Sequence, residues 1–126
     1  MPYTYDTENI FAKILRGEIP NSTVYESEHT LAFKDIAPSA PVHVLIIPKG
    51  PYVSYDHFSA EASDAEIVDF TRSVNEVCKI SGVNMDAGNG FRAIANTGRD
   101  GVQDVPHFHL HIMGGRHMGR MVTKTD

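Results

Sequence analysis

The sequence predicts an α+β fold: a five-stranded antiparallel sheet with two helices. Three observations carry the prediction. His107-Phe108-His109-Leu110-His111-Ile112 alternates polar and apolar side chains with the period of a strand. Ser63-Asp64-Ala65-Glu66 is a capping box that opens a long amphipathic helix. Neighbouring strand candidates are joined by short links, which favours antiparallel pairing.

The elements follow in order. Thr7 to Arg16 is the first helix, because Ile10, Phe11, Ile14 and Leu15 recur at helical spacing and Gly17 suits the residue past its end. Val24-Tyr25-Glu26 and Thr30 to Lys34 are short strands. Pro38-Ser39-Ala40-Pro41 is a loop. It leads into Val42-His43-Val44-Leu45-Ile46-Ile47, an apolar strand closed by Pro48. Residues 49–62 read as irregular. The capped helix runs from Ser63 to Ser81, with Ile67, Phe70, Val74 and Val77 on one side, and stops before Gly82. Gly88-Asn89-Gly90 is a turn, Gly90 to Asn96 a strand, and Thr97 to Gln103 a loop carrying Gly98 and Asp100-Gly101. Val105 to Met113 is the last strand, broken by Gly114-Gly115.

Residues 1–126 fit one domain on length alone. A hydrophobic fraction of 41% and a charged fraction of 21% are those of a soluble globular protein. The net charge is −5 and Lys and Arg form no run, which argues against nucleic acid as a partner. No apolar run approaches the ~18 residues of a membrane span. One cysteine, Cys78, forms no internal disulfide. With no visible signal peptide, the expected location is the cytoplasm.

The alternating segment holds three of the seven histidines within five positions. On a strand their imidazoles share one face, with Phe108, Leu110 and Ile112 on the other. Histidine can act as nucleophile, acid, base or metal ligand near neutral pH. A metal site is one reading, since neighbouring strand histidines can give two ligands to one ion. The outer pair, roughly 13 Å apart at Cα, is poorly placed to complete it. Nucleophilic and acid–base catalysis at a phosphorus or acyl centre is another, and chance clustering on an exposed strand face is the third.

The run from His107 to Met113 resembles the signature of the histidine triad (HIT) family. So do Phe11-Ala12-Lys13-Ile14 with Gly17-Glu18-Ile19-Pro20, Ala32-Phe33-Lys34-Asp35-Ile36, Ala40-Pro41 through Pro48-Lys49, and Gly114-Gly115-Arg116, all similar to Hint-type members. The resemblance covers nearly the whole chain. It implies a nucleotidyl hydrolase or transferase with a HIT-like fold, acting on purine nucleoside phosphoramidates such as adenosine phosphoramidates, with the related aminoacyl adenylates as a further substrate. His109 matches the nucleophile, which forms a nucleotidyl-histidine intermediate. His107 and His111 match the flanking members that orient it, bind phosphate oxygens and move protons. His43 matches a fourth histidine of the proton network. Asp35 matches the carboxylate that receives the ribose hydroxyls, although Asp also starts turns. Ile10, Phe11, Ile14, Ile19, Phe33 and Ile36 match an apolar slot for the purine, though such residues are ordinarily core. Asn96 and Gln103 match contacts to the phosphate and leaving-group side.

Departures from the pattern matter as well. Asn9 and Ala12 stand where many bacterial members carry a zinc-binding Cys-x-x-Cys pair, so no structural zinc is expected there. Asp104 follows Gln103 beside the expected phosphate and should point aside or toward the leaving group. The tail Arg116-His117-Met118-Gly119-Arg120 lacks the tryptophan of animal forms. His29, His57 and His117 match nothing catalytic and read as surface residues. No cofactor is implied. A homodimer is, in which the long helix and the Gly90–Asn96 strand pair with their symmetry mates to continue the sheet. Dinucleoside polyphosphate hydrolysis is the alternative within the same class. A nucleotide-binding interaction module with incidental hydrolysis is the alternative outside it.

Overall fold

The computed structural model describes residues 3–122. Its sheet has five strands: β1 (Thr23–Glu26), β2 (Thr30–Lys34), β3 (Val42–Pro48), β4 (Phe91–Ile94) and β5 (Leu110–Gly114). The order is β1-β2-β3-β5-β4, and every pairing is antiparallel. Three helices accompany it: α1 (Ile10–Leu15), α2 (Tyr55–Glu61) and α3 (Asp64–Ile80). The sheet agrees with the sequence reading; the helix count is one higher. No helix among the described residues is long and apolar enough to cross a membrane.

The central strand divides the molecule. Val44 and Ile46 of β3 face α2 and α3, in a core with Phe58, Phe70, Val77, Phe108 and Ile112. Leu45 and Ile47 face the other way and pack with Phe11, Leu31 and Phe33 beneath α1. His43 shares the parity of Leu45 and therefore emerges on the α1 side.

The helices end where local chemistry dictates. Ser63 caps α3 by accepting from the Glu66 amide, and the Glu66 carboxylate accepts in return from the Ser63 amide. Helix α1 is shorter than the periodicity suggests. It begins at Ile10 rather than Thr7, with Asn9 as its cap accepting from the Ala12 amide at 2.9 Å. It stops in a Schellman arrangement: the Gly17 and Glu18 amides donate back to Ile14 and Lys13, with Gly17 at φ +80°.

Helix α2 falls within residues 49–62, expected to be irregular. Only His57 and Phe58 of its seven residues are buried, so it shows no helical repeat of apolar positions. Tertiary packing stabilises it: Phe58 meets Phe70 and Phe108, and Tyr55 stacks on Phe108 at 4.7 Å. His57 is a correction too. It is buried, not a surface residue; its Nδ1 accepts the Val53 amide and Tyr3 stacks on its ring at 4.3 Å.

Two strands are shorter than expected. β4 is confined to Phe91–Ile94, opposite Gly114 to His111. β5 begins at Leu110, so His107 and His109 precede the ladder. The cause is a turn after Pro106. The His107 amide bonds the Val105 carbonyl, and the Phe108 amide bonds Tyr52 outside the sheet. Alternation survives on this approach: Phe108 enters the helix-side core, while His107 and His109 both meet Phe11 on the opposite side.

Candidate active site

Backbone groups fix the tautomers of His109 and His43, and His43 in turn fixes that of His111. Nδ1 of His109 lies 2.8 Å from the His107 carbonyl oxygen. A carbonyl only accepts, so Nδ1 carries the proton and Nε2, on the far edge of the ring, carries the free lone pair. Nδ1 of His43 accepts the Ser39 amide at 2.9 Å, which places the His43 proton on Nε2. That N–H points at Nδ1 of His111, 2.9 Å away, with Asp35 Oδ2 at 3.4 Å. His111, accepting at Nδ1, therefore carries its own proton on Nε2.

Neutrality follows from burial. Burial, with a smaller contribution from His109, pushes His107 down to about 4. Burial, then the neighbouring His109 and His43, pushes His111 down to about 4. Burial also lowers His109, against the raising influence of the His107 carbonyl, Asp104 and Asp35. At neutral pH His109 is an uncharged imidazole with an available nitrogen.

A cavity of about 260 Å³ opens beside this nitrogen. His109 and His111 line it together with Asp35, Asp104, Val105 and the six apolar residues Ile10, Phe11, Ile14, Ile19, Phe33 and Ile36. Ile36 is 96% exposed, so at this position the core reading fails and the side chain stands at the lip of the slot. Asp35 Oδ1 accepts the Ala37 amide as a turn starter, while Oδ2 faces the histidines. Both roles foreseen for Asp35 are thus compatible. Pro20, Asn21, Lys34 and Leu45 complete the lining. A larger cavity of about 480 Å³, between β1, the 35–42 loop and the end of α3, touches Asp35 and His43 but none of the triad histidines.

Besides His43, three predicted residues lie outside the lining of the smaller cavity. His107 is fully buried with both ring nitrogens engaged: Nε2–H donates to the Pro48 carbonyl at 2.8 Å, and Nδ1 accepts the Tyr5 hydroxyl at 2.5 Å. It does not line the cavity, so its ring is not placed to bind phosphate there. Gln103 spans the Val53 and Val105 carbonyls and accepts from the Gly98 amide, which fixes the loop before Asp104. Asn96 lies just beyond β4 and also outside the cavity lining.

The glycine pair after the triad has a packing reason. Gly115 takes φ +88°, and a Cβ there would meet Pro41 at 2.9 Å. The close approach lets the Arg116 guanidinium donate to the Ser39 carbonyl at 3.1 Å, steadying the residue whose amide sets the His43 tautomer.

Asp35, His43 and His111 present ligand atoms within 4.8 Å of one another, a spacing a metal could use. The Ser39 bond keeps the proton on Nε2 of His43, the nitrogen an ion would need. The arrangement is thus a hydrogen-bonded relay.

Comparisons with known proteins place the chain in a family. The HIT domain model matches residues 16–118. The chain is 52% identical over 124 residues to a HIT-like protein of Azospirillum brasilense, covering 98% of this chain and 99% of that one. It is 42% identical over 115 residues to the purine nucleoside phosphoramidase of Escherichia coli K12, covering 91% and 93%. A histidine triad protein from Clostridium difficile superposes with a TM-score of 0.78 at 37% identity, over 93% of this chain and 98% of that one. By sequence match, by fold and by the alternating histidines on the approach to β5, the chain belongs to the HIT domain family.

Proposed function

We propose that the protein is a purine nucleoside phosphoramidase that works through a nucleotidyl-histidine intermediate on His109. One observation carries the reading: the cavity that Asp35 shares with six apolar side chains also holds His109, an imidazole whose Nε2 lone pair is free. The similarity to the Escherichia coli enzyme supports the substrate class.

The purine enters between Ile10, Phe11 and Phe33, and the ribose hydroxyls donate to Asp35. This sets the α-phosphorus before Nε2 of His109. That nitrogen attacks phosphorus as the phosphorus–nitrogen bond breaks, and the amine leaves with the bonding pair. The amine takes a proton from Nε2 of His111, which the anionic phosphate has helped to charge. Water then attacks the nucleotidyl-histidine. One of its protons returns to the His111–His43 pair, and the nucleoside monophosphate departs.

A homodimer belongs to the same proposal. β4 is a sheet edge, and Phe91 on it, with Val68 and Ile80 on α3, leaves apolar surface exposed. Light scattering at micromolar concentration should give twice the chain mass. The activity is tested with a fluorogenic adenosine phosphoramidate, and a nucleotidylated protein is trapped in alkaline denaturant, where a phosphorus–nitrogen bond to imidazole survives. Absence of turnover, or hydrolysis of diadenosine polyphosphates in preference, would replace this reading.

A further inference from the structure

Tyr5 lies outside the segment that the family model matches, yet its hydroxyl reaches the most buried histidine of the triad. We propose that Tyr5 is a positioning residue: its hydroxyl fixes the ring of His107, whose carbonyl oxygen holds the proton of the nucleophile. The inference rests on the reading of His109 as that nucleophile.

Hydrogen-bond accounting carries the argument. His107 is 0% exposed. The Pro48 carbonyl can only accept, so Nε2 is protonated and Nδ1 must be an acceptor. A buried acceptor needs a donor, and the Tyr5 O–H is that donor. Burial raises the Tyr5 phenol above its ordinary pKa, so the phenol keeps its proton at neutral pH. Turning the ring over would replace both nitrogens by carbons at these two partners. Tyr5 and Pro48 together therefore select one ring orientation.

The backbone of the same residue is pinned beside it. The His107 amide bonds Val105, the Phe108 amide bonds Tyr52, and the intervening His107 carbonyl receives Nδ1–H of His109. A shift of the His107 ring moves this carbonyl and so releases the His109 tautomer.

Tyr5 itself is delivered by a segment anchored on both sides. Before it, Tyr3 stacks on His57 and donates to Asp56 at 2.8 Å. After it, Asn9 caps α1 and donates to the Asp6 carbonyl. The segment from Tyr3 to Asn9 is a strap across α2 and the back of the triad.

The test pairs kinetics with nitrogen-15 NMR of the histidine rings. Tyr5→Phe should lower kcat about ten-fold while KM stays within about two-fold, because Tyr5 touches no substrate. The His109 ring should change from one Nδ1–H tautomer to a mixture. Replacing Tyr5 by p-aminophenylalanine, which keeps the ring and a donor, should restore most of kcat and the single tautomer; this variant decides the matter if the phenylalanine protein folds poorly. An unchanged kcat with an unchanged His109 tautomer in Tyr5→Phe overturns the proposal. So does a fall in kcat that only tracks the folded fraction. If the parent protein cleaves no nucleoside phosphoramidate, the functional reading fails, and the nitrogen resonances still decide whether Tyr5 sets the tautomer.

Discussion

The carbonyl oxygen of His107 accepts Nδ1–H of His109 at 2.8 Å. A histidine two residues upstream thus fixes the ring of the proposed nucleophile through its main chain, while its own ring is committed to Pro48 and Tyr5. Alternation does more than line up three rings. It turns one histidine into the support of the next.

Removing the nucleophile should be close to absolute. His109→Ala closes the covalent route and leaves the purine slot and Asp35 in place. Loss of one general acid–base group costs about 10²–10⁴-fold, so His43→Ala and His111→Ala should slow turnover by smaller, unequal factors. Single-turnover kinetics with mapping of the trapped adduct decides this. An adduct elsewhere, or substantial activity in His109→Ala, removes the assignment.

Asp35→Asn isolates the proposed ribose contact. The side-chain oxygen that accepts the Ala37 amide is retained, so the turn should persist. Two bonds to a charged acceptor become bonds to a neutral one, which should raise KM about ten-fold or more. A 2′-deoxy substrate should narrow the gap between variant and parent. Equal KM values for parent and variant would place the ribose elsewhere.

Chelation should leave turnover unchanged. The proton on Nε2 of His43 opposes metal binding in the Asp35–His43–His111 group. Asn9 and Ala12 offer no thiolates. Activity lost in chelator and recovered with zinc would overturn the metal-free mechanism.

The strands were legible because their signals are local. His43 to Ile47 and His107 to Ile112 alternate or run apolar, and Ser63 and Glu66 announce α3 with hydrogen bonds three residues apart. Helix α2 was not, since Phe58 and Tyr55 are held by Phe108, fifty residues away. The cavity residues were readable through the family resemblance, and all six apolar ones share one wall. The burial of the His107 ring was hidden. Nothing near Tyr5 in sequence indicates a partner 102 positions later. Gln103 was misleading in the opposite way, because a polar side chain in a glycine-bearing loop serves the loop itself.

Val102 stores strain in that loop. It is a β-branched residue at φ +57°, the one non-glycine with positive φ among the described residues, and it is 67% exposed. Val102→Gly removes the strain and loses little packing, while the glycine adds unfolded-state entropy. The net gain should be about 0.5–1 kcal/mol, a rise of about 2–4 °C in Tm. A fall in Tm by calorimetry would show that Val102 makes a stabilising contact.

Acid stability should report the buried histidines. His107 is held neutral, with its pKa pushed down to about 4 by burial, against an unfolded value near 6.5. Between these values the unfolded chain binds more protons than the folded one, so stability falls as pH falls. The contribution is intact above about pH 6.5 and declines toward pH 4, where His107 alone has cost about 3 kcal/mol. His111 acts in the same direction and in the same window, more weakly because it is partly exposed. Asp69 adds to the loss at lower pH. Burial pushes its carboxyl up, but hydrogen bonds from Ser27, Thr30 and the His29 amide outweigh this and hold it below the usual range. Denaturant midpoints measured from pH 7.5 to 4 should therefore drop most steeply below about 6.5. His107→Gln lowers overall stability but removes the titrating group, so its curve should be flatter. A variant curve parallel to that of the parent would mean that His107 does not remain neutral in the folded protein.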